Sequence, residues 1–565
     1  MLGLKKIGVL GRTYRHIKRY RQILVILFKY GFGDLIDTLR IEQYIQVGLQ
    51  LISRKSREHI EKLTRAERVR MALEELGPTF IKFGQILSTR PDLIPIEYIK
   101  ELSKLQDQVS PFSYEEVREI IRTETGRWPE EIFQEFDKTP LAAASIGQVH
   151  RAELRDSEEV VIKVQRPNIH KTIEVDLEIM LHIASLMEKH LEELEHYRPT
   201  KIVEEFAKTL GKELDYTIEA AHIERFAKQF LGDSTVYVPK VYRELTTERI
   251  ITMEYIDGIK ASEIETLKKE GYDLELIATR GANLIMKQIF VHGFFHADPH
   301  PGNIFIMPDN VICYLDFGMV GRITRQERED FVDVIVHVVR EDAKGAVDAI
   351  LKITNYQTEP DREALERDIA ELMDQYLYLP LKEIRTAKLL HQALEISSRH
   401  RIFIKPDLFL MMKALSASET LGRKLYPDFN LVEHARPFIR RIQLGQLSPK
   451  RITEEIFDSG SQFVGLIKDI PGELHEILRL TKEGRIKIEF EHRGLDSLLF
   501  AMDRVSNRIA FAIVLASLII GSSLITLSDI PPKWHEIPVI GLAGFIVAGV
   551  IGLWLLVSII KKKKM

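Results

Sequence analysis

Hydrophobic and polar positions recur with a changing period along the chain, and each change of period predicts an element. Thr64 and Glu67 are spaced as a capping box that opens a helix, and Gly77 and Pro78 end it. Pro78 can itself begin a second helix, in which Phe80, Phe83, Gly84 and Leu87 form an apolar side while Lys82 and Gln85 point elsewhere. The strand-like QVHRAEL, the polar turn RDSEE and the apolar EEVVIKVQRP predict a hairpin from which Lys163 projects inward. VEEFAKTLGKELDYTIEAAHIERF then reads as one helical segment, with Glu213 and Glu219 six apart and so on different faces. ITMEYIDGIK predicts a strand emerging into a turn at Asp257 and Gly258, and VICYLDFGMV a buried strand that ends in Asp316, Phe317 and Gly318. Periodic runs such as DLFLMMKALSASETLGR carry a mostly helical pattern on to about Met502, with residues 444–488 the least assignable stretch.

Two runs near the C-terminus carry no charge, 20 residues at 509–528 and 24 at 537–560. A helix rising about 1.5 Å per residue crosses roughly 30 Å of hydrocarbon in about 20 residues, so each run is long enough to span. Only DIPPKWHE separates them, which forces a tight antiparallel hairpin. Arg504, Arg508 and Lys561 to Lys564 lie outside it and place both ends in the cytoplasm. Small residues at helical spacing, Gly544, Ala548 and Gly552 with Ser517 and Gly521, let helix backbones approach within the hairpin or between two copies of the chain. Residues 1–33 hold eight Lys or Arg and no acid, with Ile23, Leu24, Val25, Ile26, Leu27 and Phe28 among them. That is a basic amphipathic segment suited to an anionic membrane surface, or more plainly a solvated basic helix. No small-residue cleavage site follows it, so a removable secretory signal is not expected, whereas an organelle transit segment shares its composition. At 565 residues the chain should form two or three structural units. A net charge of -4 gives no global reason to expect nucleic acid, and the single Cys313 excludes a disulfide framework within the chain.

FFHADPHPGNIF, residues 294–305, gathers two histidines, an aspartate and an asparagine among prolines and a glycine. Such a cluster suits a metal cage with His296, Asp298 and His300 as ligands, a phosphotransfer loop, or a turn that satisfies its own backbone. The neighbours favour phosphotransfer. Asn303 follows Asp298 by five residues and Asp316 opens a DFG at a strand end, the spacing by which kinases orient a reacting hydroxyl and hold magnesium. Asp298 is therefore expected to orient the hydroxyl or water, and Asn303 and Asp316 to hold Mg2+. His296 and His300 are expected to brace the loop through their ring nitrogens. Lys163 is expected to meet the phosphates of ATP with Glu213 as its buried partner, and Glu219 to be a second acid near the metal. Backbone groups of Glu254 and Tyr255 are expected to face the adenine.

With KFGQ at 82–85, AAAS at 142–145, VIKVQRP, KELDYTIEA, HADPHPGN and LDFG in one chain, the sequence resembles the UbiB family of atypical kinase-like proteins, associated with ubiquinone and other isoprenoid quinone biosynthesis. The motifs cover roughly residues 76–321. The resemblance implies an α+β, atypical protein-kinase-like two-lobed fold with an N-terminal helical extension and a C-terminal two-helix transmembrane hairpin. The expected divisions are a basic N-terminal region (1–60), the extension (61–110), the catalytic core (111–337), a helical C-lobe and connecting tail (338–502) and the hairpin (509–560). ATP and Mg2+ are the implied cofactors. The resemblance also lays the extension across the face where a protein substrate would dock, with Lys82 and Gln85 reaching the active site. Where ordinary protein kinases close a glycine-rich loop on the phosphates, this chain has Ala142, Ala143, Ala144 and Ser145, whose methyl groups restrict φ and hold the backbone back.

These features imply an ATPase or small-molecule kinase on the cytoplasmic face of the inner membrane, rather than in a mitochondrial or plastid membrane. It would serve isoprenoid quinone or lipid metabolism, with membrane lipids, hydrophobic quinone precursors and quinone-biosynthesis proteins as partners and a homodimer as one assembly. A protein kinase acting in trans and a nucleotide-sensing scaffold without turnover are the alternatives.

Overall fold

The computed structural model describes residues 14–38, 63–105, 110–191, 198–446 (apart from 357, 378, 381–382 and 384), 495–528, 531–534 and 537–561. Most of the stretch 444–488, and the lysines after Lys561, lie outside the described residues. The chain divides into two compact units, Met1–Thr453 and Glu454–Met565.

Capping chemistry sets the start of the first unit. Helix α1 (Tyr14–Lys29) carries the basic amphipathic pattern. Helix α2 (Arg65–Leu76) opens on the capping box of Thr64 and Glu67, and Gly77, at φ +98, turns the chain into α3 (Pro78–Leu87). Helices α4 (Ile96–Leu102) and α5 (Tyr114–Thr125) follow. The apolar side of α1 is buried, contrary to the expectation that it meets lipid: Ile23 and Ile26 join Ala72, Leu73 and Leu76 of α2 in one core with Phe80 of α3. Each such side chain removed from water stabilises the fold by about 1.5–3 kcal/mol, so the protein itself holds this stripe.

The smaller lobe is an antiparallel sheet of β1 (Phe133–Phe136), β2 (Ala142–Ala143), β3 (Gly147–Leu154) and β4 (Glu159–Gln165), completed later in the chain by β6. Helices α6 (Ile169–His190), α7 (Pro199–Glu213) and α8 (Tyr216–Gln229) come next, then β5 (Val236–Tyr237) and β6 (Ile250–Glu254). The strand order is β1-β3-β4-β6, with β2 added on β3. Val160, Ile162 and Val164 alternate along β4 into a core shared with Val117, Ile120 and Ile121 of α5, which leaves Lys163 on the opposite face. The single helix expected through Glu213 and Glu219 is two. Asp215 leaves the helical path, and its carboxylate accepts the Thr217 N–H at 2.9 Å as the N-cap of α8.

The larger lobe begins with β7 (Ile259–Lys260) and α9 (Leu274–Met286), followed by β8 (Phe294–His296), β9 (Ile304–Met307), β10 (Val311–Tyr314) and β11 (Val320–Arg322). Strands β5, β10, β9 and β7 pair in that order, and β8 pairs with β11 so that Val320 faces His296 and Gly321 faces Phe295. Helices α10 (Arg325–Val339), α11 (Ala343–Ile353), α12 (Arg362–Leu377), α13 (Thr386–Arg399), α14 (Pro406–Leu425) and α15 (Leu431–Gln446) complete the unit. Leu408, Phe409, Met411 and Ala414 of α14 enter the same core as Phe294, Phe295 and Phe317.

In the second unit, α16 (Leu495–Leu527) and α17 (Val539–Lys561) pack on each other. A Cβ on Gly541 or Gly544 would collide with Thr526 or Ser522 of α16, so the small residues serve this contact. Among the described residues one helical stretch, Ile509–Leu527, is long and apolar enough to cross a membrane, and the second apolar stretch, Val539–Leu553, is shorter. The expectation of two full spans is thus reduced to one.

Candidate active site

Strand β4 is central in its sheet, with Lys163 opposite Val149 on one side and Ile251 on the other. Its ammonium therefore has a fixed origin. Nζ lies 3.1 and 3.0 Å from the two carboxylate oxygens of Glu219 and 3.5 Å from Asp316 Oδ1. The ring of Tyr216 lies 5.2 Å from the same nitrogen. Burial opposes the charge on Lys163, but Asp316 and Glu219 together outweigh it and hold the amine well above its ordinary pKa. Burial is also the largest influence on Glu219 and raises its carboxyl, with Lys163 opposing. Asp316 goes the other way: the Lys163 ammonium lowers its carboxyl to about 2. Its side chain remains 54% exposed.

The lysine's partner is Glu219 and not Glu213. The break at Asp215 places Glu219 one turn into α8, facing β4, while Glu213 ends α7 and faces α3. There Glu213 takes Lys82 Nζ at 2.5 Å, with both side chains largely buried. This ion pair ties the extension to the helix that precedes the active-site acid. Gln85 does other work: its amide nitrogen donates to the Leu105 carbonyl at 3.2 Å, a bond within the extension itself.

Pairing of β8 with β11 brings the reactive loop beside the DFG. The Ala297 N–H donates to the Met319 carbonyl at 3.1 Å, and the Leu315 N–H to the Asn303 carbonyl at 2.8 Å, so Asn303 and Asp316 lie on adjoining backbone. Asp316 itself sits at φ +58, in the left-handed region. The fully buried His296 locks this arrangement. Its Nε2–H faces the carbonyls of Leu315 and Asp316 at 3.2 and 3.0 Å, which leaves Nδ1 to accept the Asp298 N–H at 3.2 Å. Burial lowers its pKa and favours the neutral ring this pattern needs. His300 Nδ1 accepts the Gly302 N–H at 3.1 Å. With both ring nitrogens of His296 engaged by backbone, the metal cage of His296, Asp298 and His300 loses its first ligand, and among the described residues no group of three His, Cys, Asp or Glu could hold a metal. Asp298 keeps a half-exposed carboxylate facing the cleft.

The alanine loop enters the sheet through Ala142 and Ala143, paired with Val149 and Gln148, and turns on an Ala144 N–H to Gly147 carbonyl bond of 2.8 Å. Ser145 is fully buried and its hydroxyl has no partner, and the same holds for the Tyr216 hydroxyl. Two buried hydroxyls without a partner, one of them on the ring beside Lys163, suit an acceptor-rich ligand such as a phosphate. A Cβ on Gly147 would come within 2.5 Å of the Val164 carbonyl and 2.6 Å of the Tyr216 hydroxyl. Of the backbone groups expected at the adenine, the Glu254 N–H donates to the Lys240 carbonyl at 2.9 Å and the Tyr255 N–H to the Glu159 carbonyl at 3.0 Å, so the two amides are engaged by neighbouring backbone. The next amide, Ile256, makes no such bond among the described residues.

Residues 104–350 match the ABC1 atypical kinase-like domain, residues 369–430 the UbiB helical domain, and residues 493–561 the ABC1/UbiB kinase-like C-terminal domain. A "Probable protein kinase UbiB" of Aeromonas hydrophila is 33% identical over 94% of this chain and 97% of its own length. The chain belongs to the ABC1/UbiB atypical kinase-like family. Another member of that name, from Shewanella woodyi, is 31% identical over 96% of this chain and 98% of its own. An uncharacterized protein from the hydrogenase 1 5' region of Clostridium pasteurianum is 34% identical over 96% of this chain and 99% of its own. Among solved structures, Rv3197 of Mycobacterium tuberculosis in complex with erythromycin is 25% identical over 66% of this chain and 94% of that one, with a TM-score of 0.45. The ABC1/UbiB kinase-like domain implies nucleotide binding. Sequence reasoning missed Tyr216, although it lies within the KELDYTIEA motif. The signal was Asp215 two residues before Thr217, a helix start that sets Tyr216 on the first turn of α8.

Proposed function

We propose that this protein is a membrane-associated atypical kinase or ATPase that binds Mg-ATP between its lobes and supports isoprenoid quinone or lipid metabolism. One observation carries the reading: Lys163 is held between Glu219 at 3.0 Å and Asp316 at 3.5 Å. Lys163 would meet the phosphates, and the hydroxyls of Ser145 and Tyr216 would supply donors that the alanine backbone holds back. Asn303 and Asp316 would hold Mg2+, which supplies charge neutralisation at the phosphates when bound. In the transfer, a bond forms between the acceptor oxygen and the terminal phosphorus, the bond from that phosphorus to the ADP oxygen breaks, and the acceptor proton passes to Asp298.

The acceptor is water or a small polar head on a lipid-soluble molecule. The Lys82–Glu213 pair that fastens the extension beside the cleft supports a small acceptor over a polypeptide. The apolar stretch Ile509–Leu527 supports attachment to the cytoplasmic membrane, with α17 returning as the second arm of a hairpin. The name carried by the Aeromonas relative favours a second reading, phosphorylation of other proteins in trans. Complementation separates these. In a deletion strain whose lipid-soluble quinones are profiled, the wild-type chain should restore the quinone pool and Asp298→Ala should not. Full restoration by Asp298→Ala would instead assign a scaffold, and labelling of membrane polypeptides by radioactive ATP, lost in the same variant, would assign the kinase in trans.

A further inference from the structure

The reactive loop brings no cation of its own, since residues 294–305 contain neither lysine nor arginine. Lys163 serves the Asp316 side of the cleft. At Asp298 the positive charge arrives from far along the chain: Lys413 Nζ lies 3.7 Å from Asp298 Oδ1. Lys413 is on α14, outside residues 104–350 of the kinase-like match and inside residues 369–430 of the helical-domain match.

The helix that carries it is anchored. Met411 and Ala414, on either side of Lys413 in sequence, are fully buried in the core that also holds Phe294, Phe295 and Phe317. Asp407, six residues earlier, accepts the Arg322 N–H at 3.2 Å, directly after the DFG strand turn. Helix α14 is thus registered on both segments that build the site, and Lys413 starts from a backbone that the core holds still. Its side chain is 34% exposed and that of Asp298 46%, so the pair faces solvent rather than the interior. An ion pair this accessible contributes little to stability, and its position beside the reacting carboxylate calls for another role.

We propose that Lys413 is an active-site residue supplied by the helical domain: it orients the Asp298 carboxylate and places a positive charge where the terminal phosphoryl group of ATP meets its acceptor. This rests on the kinase reading above. As the acceptor oxygen bonds to phosphorus, the ADP oxygen departs and the acceptor proton moves to Asp298, the Lys413 side chain balances charge on the phosphoryl oxygens. The helical domain then completes the catalytic centre, and a kinase-like lobe without α14 would lack that charge.

The test uses the full-length chain in lipid nanodiscs, with Lys413→Met and Lys413→Arg beside the wild type. Turnover of Mg-ATP, calorimetric affinities for Mg-ATP and Mg-ADP, and apparent Tm are measured on each. Lys413→Met should lower kcat by about 10- to 100-fold, the scale of losing one charge-stabilising donor. It should weaken Mg-ATP binding more than fivefold while Mg-ADP binding and Tm stay near wild type, and Lys413→Arg should recover most of both losses. An unchanged kcat with an unchanged preference for ATP over ADP would overturn the proposal, as would equal losses for both nucleotides accompanied by a fall in Tm. If the wild type shows no turnover, the kinase reading fails, and the nucleotide preference decides alone. A preference abolished by Lys413→Met keeps Lys413 at the terminal phosphate, and a preserved one removes it.

Discussion

Glu219→Gln isolates the interaction on which the site is built, because the amide keeps the shape of the side chain and removes its charge. Lys163 meets Glu219 at 3.0 Å and Asp316 at 3.5 Å. At an effective dielectric constant near 20, each attraction is about 5 kcal/mol before desolvation is counted. The two are not equally screened. Lys163 is 18% exposed and Glu219 6%, whereas Asp316 is 54% exposed and its share is discounted accordingly. Removing one member of a buried pair costs about 3–5 kcal/mol when nothing replaces it. Here Asp316 remains and the amide oxygen still accepts from the ammonium, so a loss of about 2 kcal/mol is expected. For the compact unit Met1–Thr453 that lowers Tm by about 2 °C, readable by thermal shift. Lys163 should also lean toward Asp316 and occupy the carboxylate meant for the metal, weakening Mg-ATP binding by about tenfold, or about 1.4 kcal/mol. Glu213→Gln is the paired control, since it removes the same charge from Lys82 instead. If Glu219→Gln left Tm and Mg-ATP affinity unchanged while Glu213→Gln impaired Mg-ATP binding, the assignment of partners would be refuted in favour of the one expected from sequence.

Two further expectations follow from the same geometry. Gly147→Ala pushes a methyl group into the Val164 carbonyl and the Tyr216 hydroxyl, neither of which can swing away, so it should cost about 1–3 kcal/mol and weaken Mg-ATP binding. Gly126→Ala, at φ +74 with open space around it, should cost about 1 kcal/mol and leave binding intact; equal effects of the two on binding would contradict the packing argument. Because burial lowers the pKa of His296, the unfolded chain binds its proton first, so the stability it contributes is present above about pH 6.5 and is lost as pH falls toward its folded value. His296→Gln should therefore reduce the slope of stability against pH below that point, by up to about 1.4 kcal/mol per pH unit; an unchanged slope would show that the buried ring does not titrate this way.

What was legible in the sequence was local. The capping box at Thr64 and Glu67, the proline start at Pro78, the hairpin of β3 and β4 and the strand into the DFG all depend on neighbours within a few residues, and all are present. The loop of Asp298 and Asn303 was legible for the same reason. Partner choice was not. Glu219 took the place expected of Glu213 beside Lys163 because one N-cap, Asp215, starts a second helix, and an unbroken helical period cannot register that. The amphipathic stripe of α1 announced that a face would be covered, but a period is silent about whether lipid or protein covers it. Strand pattern likewise did not say which amides β6 would have left, and the N–H groups of Glu254 and Tyr255 are both engaged by neighbouring backbone. Lys413 is the extreme case: 115 residues separate it from Asp298, and only the packing of α14 brings them together.

The central claim is that the Asp316 carboxylate, kept ionised by Lys163, holds the cation that accompanies ATP. Nucleotide affinity measured by calorimetry across a Mg2+ titration, on the wild type and on Asp316→Asn, addresses it most directly. The wild type should bind ATP more tightly as Mg2+ rises, whereas Asp316→Asn should show weak binding that Mg2+ hardly changes, with hydrolysis lost and membrane attachment retained. A variant whose ATP affinity and hydrolysis still rise with Mg2+ as in the wild type would contradict the account.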